Sequence, residues 1–174
     1  MVTIRQEQQN DCSKTEEVVK QAFSNEEFSD KTEHELVKRI RKCDAFIPEL
    51  SLVAVDERIV GHILLSKITI EQDGTSVKSL ALAPVSVTPS HQKKGIGRKL
   101  IVAALEKAKE LGYESVIVLG HPEYYPKFGF KKASEWNIKA LFEVPEEVFM
   151  VMELTENALE GVEGIVQYSS AFTE

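Results

Sequence analysis

Alternating apolar and polar positions open the chain and recur through its middle, which predicts a sheet built around a meander. Residues 2–7, VTIRQE, have the period of a strand, and three longer runs with that period lie between residues 49 and 89. Residues 56–58 join the first two runs with the length of a hairpin connection, and Asp73-Gly74 lies at the centre of the next turn. These patterns predict antiparallel strands joined by tight turns.

The third run of the meander, from about residue 78 to residue 87, contains Pro84. Proline has no amide hydrogen to donate to a neighbouring strand, so it does not fit a regular central strand. A bulge or a splay near Pro84 is therefore expected.

Two amphipathic helices are predicted between the first strand and the meander. Each follows a sequence with the spacing of a capping box, at residues 13–16 and at residues 30–33. The apolar positions then recur at helical spacing, at Val18, Val19, Ala22 and Phe23 and again at Leu36, Val37 and Ile40. Each helix is expected to pack one face on a core.

At Gly95 the hydrophobic period changes from two to 3.6, which predicts a third helix that ends before Gly112. Residues 115–120, SVIVLG, predict a buried strand parallel to the strand before that helix. A short helix or turn follows in HPEYYPKFGF, and FKKASEW, EEVFMVMEL and IVQY predict closing strands. The order of elements predicts one mixed α/β domain over residues 1–174, in which residues from about 155 onward form an extension with an extra strand.

Composition and charge narrow the possible functions. The chain has 174 residues, 43% hydrophobic and 28% charged, as in an ordinary globular domain. A net charge of −7 argues against general nucleic-acid binding and leaves cationic substrates possible. Cys12 and Cys43 form neither a CxxC pair nor a metal-ligand cluster with the four histidines, which favours reduced thiols, no metal and a cytoplasmic location. No apolar run of 18 residues and no signal peptide is present, so no membrane partner is expected.

The stretch HQKKGIGRKL, residues 91–100, contains two glycines and several cations. It lies between the third run of the meander and the third predicted helix. The first amides of a helix have no partner and carry partial positive charge, so anions settle there. Glycines let a polyanion approach the backbone closely. The residues predicted to wrap a pyrophosphate are Gln92, Lys93, Lys94, Gly95, Ile96, Gly97 and Arg98.

Two common phosphate-binding patterns do not fit this stretch. The pattern G-x-x-x-x-G-K-[ST] is absent, and G-x-G-x-x-G is incomplete because residue 100 is Leu. By contrast, the order V-x-V-x-P-x-x-Q-x-x-G-x-G, from Val85 to Gly97, resembles the GNAT family of acetyl-CoA-dependent N-acetyltransferases, and in particular a YhbS-like bacterial branch. The resemblance covers nearly the whole chain through ELSLVAV, IVGHILLS, LAPVSVTPSHQKKGIGRKLI, VIVLGHPEYYPKFGF and GVEGIVQY.

The resemblance implies the GNAT fold: a central, mostly antiparallel twisted sheet splayed between two parallel strands, with helices on both faces. It implies acetyl-CoA as cosubstrate and direct attack by an amine in a ternary complex. Backbone amides around Val85 and Val87 would stabilise the oxyanion and pair with pantetheine. Tyr125 falls on the position of the family's general acid, Tyr124 is interpreted as buried packing, and Phe128 would pack on the cofactor.

The base is not evident, because residues 79–86, SLALAPVS, carry no carboxylate where many family members have a glutamate. A water relay, a neutral substrate, His121 at the end of VIVLG, or His62 in IVGHILL remain open. A covalent acyl-cysteine route is disfavoured, because neither cysteine has an evident base partner.

The acceptor is expected to be an amine on a small molecule or a protein, bordered by Phe23, Phe28 or Trp136. The acidic residues Glu26, Glu27, Asp30 and Glu33 form a solvated face or attract a cationic amine. The protein is expected to be a monomer or a homodimer, in which IVQY pairs across the interface. Two alternatives remain: a coenzyme A sensor without turnover, and a nucleotide-binding domain that uses the same turn.

Overall fold

The sequence forms three helices and nine strands within residues 1–24 and 31–172, the part of the chain that the computed structural model describes. The helices are α1 (Cys12–Phe23), α2 (Glu33–Arg41) and α3 (Ile96–Glu110). The strands are β1 (Thr3–Gln6), β2 (Ser51–Asp56), β3 (Arg58–Gln72), β4 (Thr75–Val87), β5 (Ser115–Leu119), β6 (Lys131–Lys132), β7 (Ile138–Lys139), β8 (Phe149–Glu153) and β9 (Gly164–Gln167).

The strands form one sheet in the order β1-β2-β3-β4-β5-β8-β6, with β9 paired to β3 and to β7. The pairs β4/β5 and β7/β9 are parallel and the other pairs are antiparallel. The predicted mixed α/β fold with a mostly antiparallel sheet is confirmed. None of the described helices is long and apolar enough to cross a lipid bilayer.

β4 and β5 touch at only two register positions, Leu80 opposite Val116 and Ala81 opposite Ile117, and then part. The β3–β4 pairing is also irregular near the parting, where β4 holds one more residue than β3 between matched positions. The extra residue lies beside Pro84, as the sequence predicts, because proline supplies no donor to a regular ladder. The parted strands open a cleft at the carboxyl ends of β4 and β5.

Helices cover both faces of the sheet. On β3, Ile63 and Leu65 point into a core shared with α3, whereas Leu64 points into a core shared with α1 and α2. The alternation follows from the two-residue period of a strand. The cleft between β4 and β5 therefore opens toward α3 on one face and toward α2 on the other.

Some local predictions differ from the structure. α1 begins at Cys12, and Ser13 lies inside it, because the 3₁₀ turn Gln9–Asp11 runs directly into the helix. FKKASEW forms only the two-residue strand β6 before a 3₁₀ helix, Ala133–Trp136. β9 pairs within the chain with residues 69–71 of β3.

Candidate active site

The chain passes from β4 into α3 through the glycine turn, defined here as residues 92–98. Lys93 has φ 65° and Gly95 has φ 80°, a conformation that suits glycine better than residues with a side chain. Gly95 is the N-cap of α3, and its carbonyl accepts the amide of Lys99 at 3.1 Å. Between Lys93 and Arg98, no backbone amide donates to an acceptor within the described residues. The turn therefore presents a run of free N–H groups.

Positive charge surrounds these amides. Lys93, Lys94 and Arg98 are exposed, and no carboxylate of the described residues forms an ion pair with them. The aligned peptide dipoles of α3 add partial positive charge at its start. Ile96 is buried in the core, so only its backbone faces the turn. Together these groups form a site suited to phosphate.

Two side-chain contacts hold the glycine turn against the sheet. Gln92 donates from Nε2 to the carbonyl of Val87 at 2.9 Å. One residue earlier, the ring of His91 contacts the Asp56 carboxylate, with Nε2 and Oδ2 3.2 Å apart. Gln92, which the sequence predicts as a cofactor ligand, thus fixes the position of the turn through its amide nitrogen.

The last residues of β4 leave backbone groups free on the side of the parted strand. Thr88 donates its amide to the carbonyl of Val60 in β3 at 2.8 Å. Hydrogen-bonding direction alternates along a strand, so the amides of Val85 and Val87 point away from β3. β5 has already separated from β4 at this level. An extended ligand with amides of its own can pair there as an added strand.

Tyr124 brings its hydroxyl to the start of α3. A Cβ atom on Gly97 would lie 3.9 Å from Oη of Tyr124 and 3.9 Å from Cγ2 of Val87, so the phenol, the strand end and the helix meet in one place. Burial raises the pKa of the Tyr124 hydroxyl, and Arg98 partly offsets that rise. Tyr124, which the sequence indicates as buried packing, packs against the core but is only half-buried, whereas Tyr125 is 7% exposed.

Tyr125 lies deeper in the cleft, with its ring against Gly120 at the end of β5. A side chain at Gly120 would overlap the ring of Tyr125, so glycine leaves the space that the ring occupies. The ring packs edge-on against Tyr124 and Phe130, with centroids 5.2 Å and 5.6 Å apart. Burial raises the pKa of the Tyr125 hydroxyl to about 12, so the group is protonated at neutral pH. Phe128 is half-buried beside both tyrosines.

The two histidines considered as bases occupy opposite environments. His121 is exposed at the end of β5, and its carbonyl accepts the amides of Tyr124 at 3.1 Å and Tyr125 at 3.3 Å. His62 is 0% exposed, and its Nε2 lies 2.9 Å from Oγ of Ser51. His62 has no access to solvent or to a bound acceptor, so it is excluded as the base.

His62 belongs to a buried polar network on the α1–α2 side of the sheet. Ser51 donates to Oε1 of Glu7 at 2.9 Å, and Arg41 contacts Oε2 of Glu7 and Oε2 of Glu16, each at 2.6 Å. Burial alone raises the pKa of Glu7, but the surrounding groups, including Arg41, outweigh it and lower that pKa. Burial lowers the pKa of His62 to about 4. The network ties β1, β2, β3 and the two helices together.

We expect the buried imidazole to make the protein less stable in acid. The pKa of His62 is about 4 in the folded chain and 6.5 as a free side chain, so the unfolded chain takes up the proton first as pH falls. Stability is therefore lost from pH 6.5 downward, by up to about 3 kcal/mol at pH 4. Urea denaturation of His62→Gln at several pH values should show a flatter slope than wild type between pH 6.5 and 4.5.

His121→Gln is the matched control, because it removes an exposed imidazole and leaves the buried network intact. An unchanged slope in His62→Gln, or an equal flattening in His121→Gln, would contradict the assignment of the slope to His62. The pKa of Glu7 is also lowered, so its contribution is lost in the acid range below its ordinary value of 4.5, and the comparison of slopes is therefore made above that pH.

Two other residues predicted near an acceptor, Phe23 and Trp136, belong to hydrophobic clusters. Phe23 packs against the core of α1 and α2, and Trp136 packs against the core beneath β7 and β8. Phe28 and the acidic residues 26, 27 and 30 lie outside the described residues. Cys12 and Cys43 are free thiols, and burial is the main cause that raises the pKa of Cys12. Within residues 1–24 and 31–172, no cluster of three His, Cys, Asp or Glu side chains could hold a metal ion.

Two features of the cleft were not predicted from the sequence: the role of Gly120 and the position of the Tyr124 hydroxyl. The sequence does contain a local signal for the role of Gly120, because this glycine ends a β-branched strand and Tyr125 follows five residues later. No local signal exists for the second, because Tyr124 meets Gly97 and Val87 only through the folding of α3 onto the sheet.

A family described as Acetyltransferase (GNAT) family matches residues 12–130 of the chain. Among curated proteins, the uncharacterized N-acetyltransferase YhbS of Escherichia coli (strain K12) is 31% identical over 153 residues, which cover 87% of this chain and 89% of YhbS. The uncharacterized N-acetyltransferase YjhQ of the same strain is 36% identical over 151 residues, covering 84% of this chain and 81% of YjhQ.

Solved structures of GNAT family proteins are also similar to this chain. The crystal structure of Escherichia coli YhbS in complex with CoA superposes with a TM-score of 0.88 at 27% identity, covering 99% of this chain and 92% of YhbS. A GNAT family acetyltransferase from Brucella melitensis in complex with acetyl-CoA gives a TM-score of 0.81 at 31% identity, covering 99% and 98% of the two chains.

Proposed function

We propose a catalytic mechanism on the premise that this chain belongs to the acetyltransferase (GNAT) family and is an acetyl-CoA-dependent N-acetyltransferase. The acceptor is a primary amine on a small molecule or a protein, and it attacks directly in a ternary complex. The observation that carries the proposal is the glycine turn, where unpaired amides and cations lie beside the free edge of β4.

The diphosphate of acetyl-CoA binds the amides of residues 93–98, with Lys93, Lys94 and Arg98 contributing charge. The pantetheine amides pair with the edge at Val85 and Val87, which places the thioester in the gap between β4 and β5. One amide of this edge then lies where the carbonyl oxygen gains negative charge, and it stabilises that charge in the transition state.

The chemistry forms one bond and breaks one. The amine nitrogen bonds to the acetyl carbon, and the bond from that carbon to sulfur breaks. Tyr125 gives its hydroxyl proton to the departing thiolate, a role supported by a pKa of about 12, which keeps the phenol protonated. Phe128 packs against the thioester arm. The excess proton of the nitrogen passes to His121, directly or through water, because that ring is exposed at the end of β5. Exchange with solvent then removes this proton from His121 and returns one to the Tyr125 oxygen.

We place the protein in the cytoplasm, which is consistent with the free thiols of Cys12 and Cys43. We propose a monomer or a homodimer. β9 pairs with residues 69–71 of β3 in the same chain, so these residues need no strand from a second subunit.

An acceptor screen tests the proposed function. Wild-type protein mixed with acetyl-CoA should release free thiol faster when a suitable primary amine is added, and the acetylated amine should appear in equal amount. Gly97→Glu serves as the control, since it should release no more thiol than buffer.

Acetyl-CoA that binds and is never consumed with any amine would contradict turnover and favour a coenzyme A sensor. Binding of ATP or NAD without competition from coenzyme A would overturn the assignment of the glycine turn and favour a nucleotide-binding domain.

A further inference from the structure

A cavity of about 440 Å³ opens where β4 and β5 part, on the face of the sheet turned toward α2. Ala81 and Ile117, the last paired residues of the two strands, line this cavity. This volume falls within the range of about 300 to 1,000 Å³ that is usual for small-molecule sites. The cavity adjoins the gap that holds the thioester in the proposed function, on which the present inference rests.

Aromatic and aliphatic side chains form the walls of this cavity. Phe142 stacks on Tyr168 with ring centroids 6.4 Å apart, and Tyr168 contacts Phe172 at 5.1 Å. Leu36 of α2 completes the opposite side. No charged side chain of the described residues lines the cavity. A second ammonium or a carboxylate on a ligand would therefore lose its hydration there without gaining a partner.

The carboxy-terminal wall is held in place by the fold. β9 pairs with β3, and the segment that follows it carries Tyr168 and Phe172. Arg39 of α2 donates from Nε to the carbonyl of Ala171 at 2.9 Å, which ties this segment to the helix. The aromatic wall is thus formed before any ligand binds.

The mouth of the cavity leaves large apolar side chains in water. Leu119 is 46% exposed, Leu141 is 55% exposed and Phe142 is 49% exposed. Apolar groups clustered at the rim of a cavity are typical of a binding site. The transferred acetyl group has only two carbons and cannot fill the cavity.

We propose that the acceptor is a primary amine on a compact apolar body, an alkylamine or an arylalkylamine, and that Phe142, Tyr168 and Phe172 select it. The apolar body enters the cavity, and the amino group points toward the gap between β4 and β5. Polyamines and basic peptides are disfavoured because they would place further charge against an uncharged wall.

The test compares phenethylamine and hexylamine with putrescine and spermidine as acceptors for wild-type protein and acetyl-CoA. We expect kcat/KM at least about tenfold higher for the first pair. Phe142→Asp should lower kcat/KM for phenethylamine at least about tenfold and leave the Kd for acetyl-CoA unchanged. Val102→Asp is the matched control, since Val102 is an exposed apolar residue on α3, and it should change neither value.

Calorimetric titration of phenethylamine into the protein saturated with coenzyme A gives a readout that does not need turnover. Binding that Phe142→Asp abolishes supports the cavity assignment even if no acetylated product forms, in which case only the proposed transfer fails. Faster acetylation of putrescine or spermidine leaves the transferase function standing and overturns this inference. Equal kcat/KM for the apolar amines and the polyamines also overturns the inference, and so does full activity of Phe142→Asp with phenethylamine. Faster consumption of octanoyl-CoA than of acetyl-CoA overturns it as well.

Discussion

Replacing Gly97 with glutamate is expected to abolish acetyl-CoA binding while the fold is retained. Gly97 is the second residue of α3, with ordinary helical backbone, and a Cβ atom there meets only Tyr124 and Val87, at 3.9 Å each. A longer side chain must pass these two residues and brings a carboxylate beside the diphosphate. We expect the Kd to rise at least about 100-fold, or about 3 kcal/mol, since like charges a few ångströms apart repel by that order.

Calorimetric titration with acetyl-CoA measures this effect, and two control variants make it specific. Gly97→Ala should bind within a few-fold of wild type, because its methyl group makes ordinary contacts. Val102→Glu adds the same charge farther along α3 and should bind normally. Gly95 is a poorer choice, because its φ of 80° strains any replacement. Normal affinity of Gly97→Glu would remove the glycine turn from the cofactor site.

The second large effect concerns the two neighbouring tyrosines. Tyr125→Phe is expected to lower kcat about 100-fold or more with little change in the Kd for acetyl-CoA, because a general acid typically contributes that factor in the chemical step. The phenyl ring still fills the space left by Gly120, so the fold is retained. Initial rates of thiol release at saturating acetyl-CoA and amine give kcat.

Tyr124→Phe is the matched variant, since it removes one phenol oxygen from the adjacent residue. Its hydroxyl lies near Gly97 and Val87, so its loss should weaken acetyl-CoA binding a few-fold and leave kcat nearly unchanged. The reverse result, a loss of kcat in Tyr124→Phe with wild-type kcat in Tyr125→Phe, would transfer the acid role to Tyr124. Both variants must be compared, because the hydroxyl of Tyr124 is the one that reaches the start of α3.

Much of the architecture could be predicted because it depends on neighbours in sequence. The switch from a two-residue to a 3.6-residue period at Gly95 locates the start of α3. Asp73-Gly74 produces the hairpin between β3 and β4, and both residues have positive φ. Pro84 marks the irregular pairing that accompanies the parting of β4 from β5.

Burial was harder to predict than local conformation. The sequence pattern of IVGHILL does not exclude His62 as the base. Only the packing of α1 and α2 on the sheet buries the side chain completely. The order of burial in the pair Tyr124-Tyr125 depends on Gly120 and Phe130, which flank the rings in space.

By itself, the sequence predicted a turn suited to an anion, because free amides and cations at the glycine turn follow from residues that are adjacent in the chain. Tertiary structure alone decided the shape and polarity of the neighbouring cavity. Its walls come from Leu36, Ala81, Ile117, Phe142 and Tyr168, which are far apart in sequence. The physical reason is that backbone conformation responds to local neighbours, whereas the shape and polarity of a cavity depend on which distant side chains pack around it.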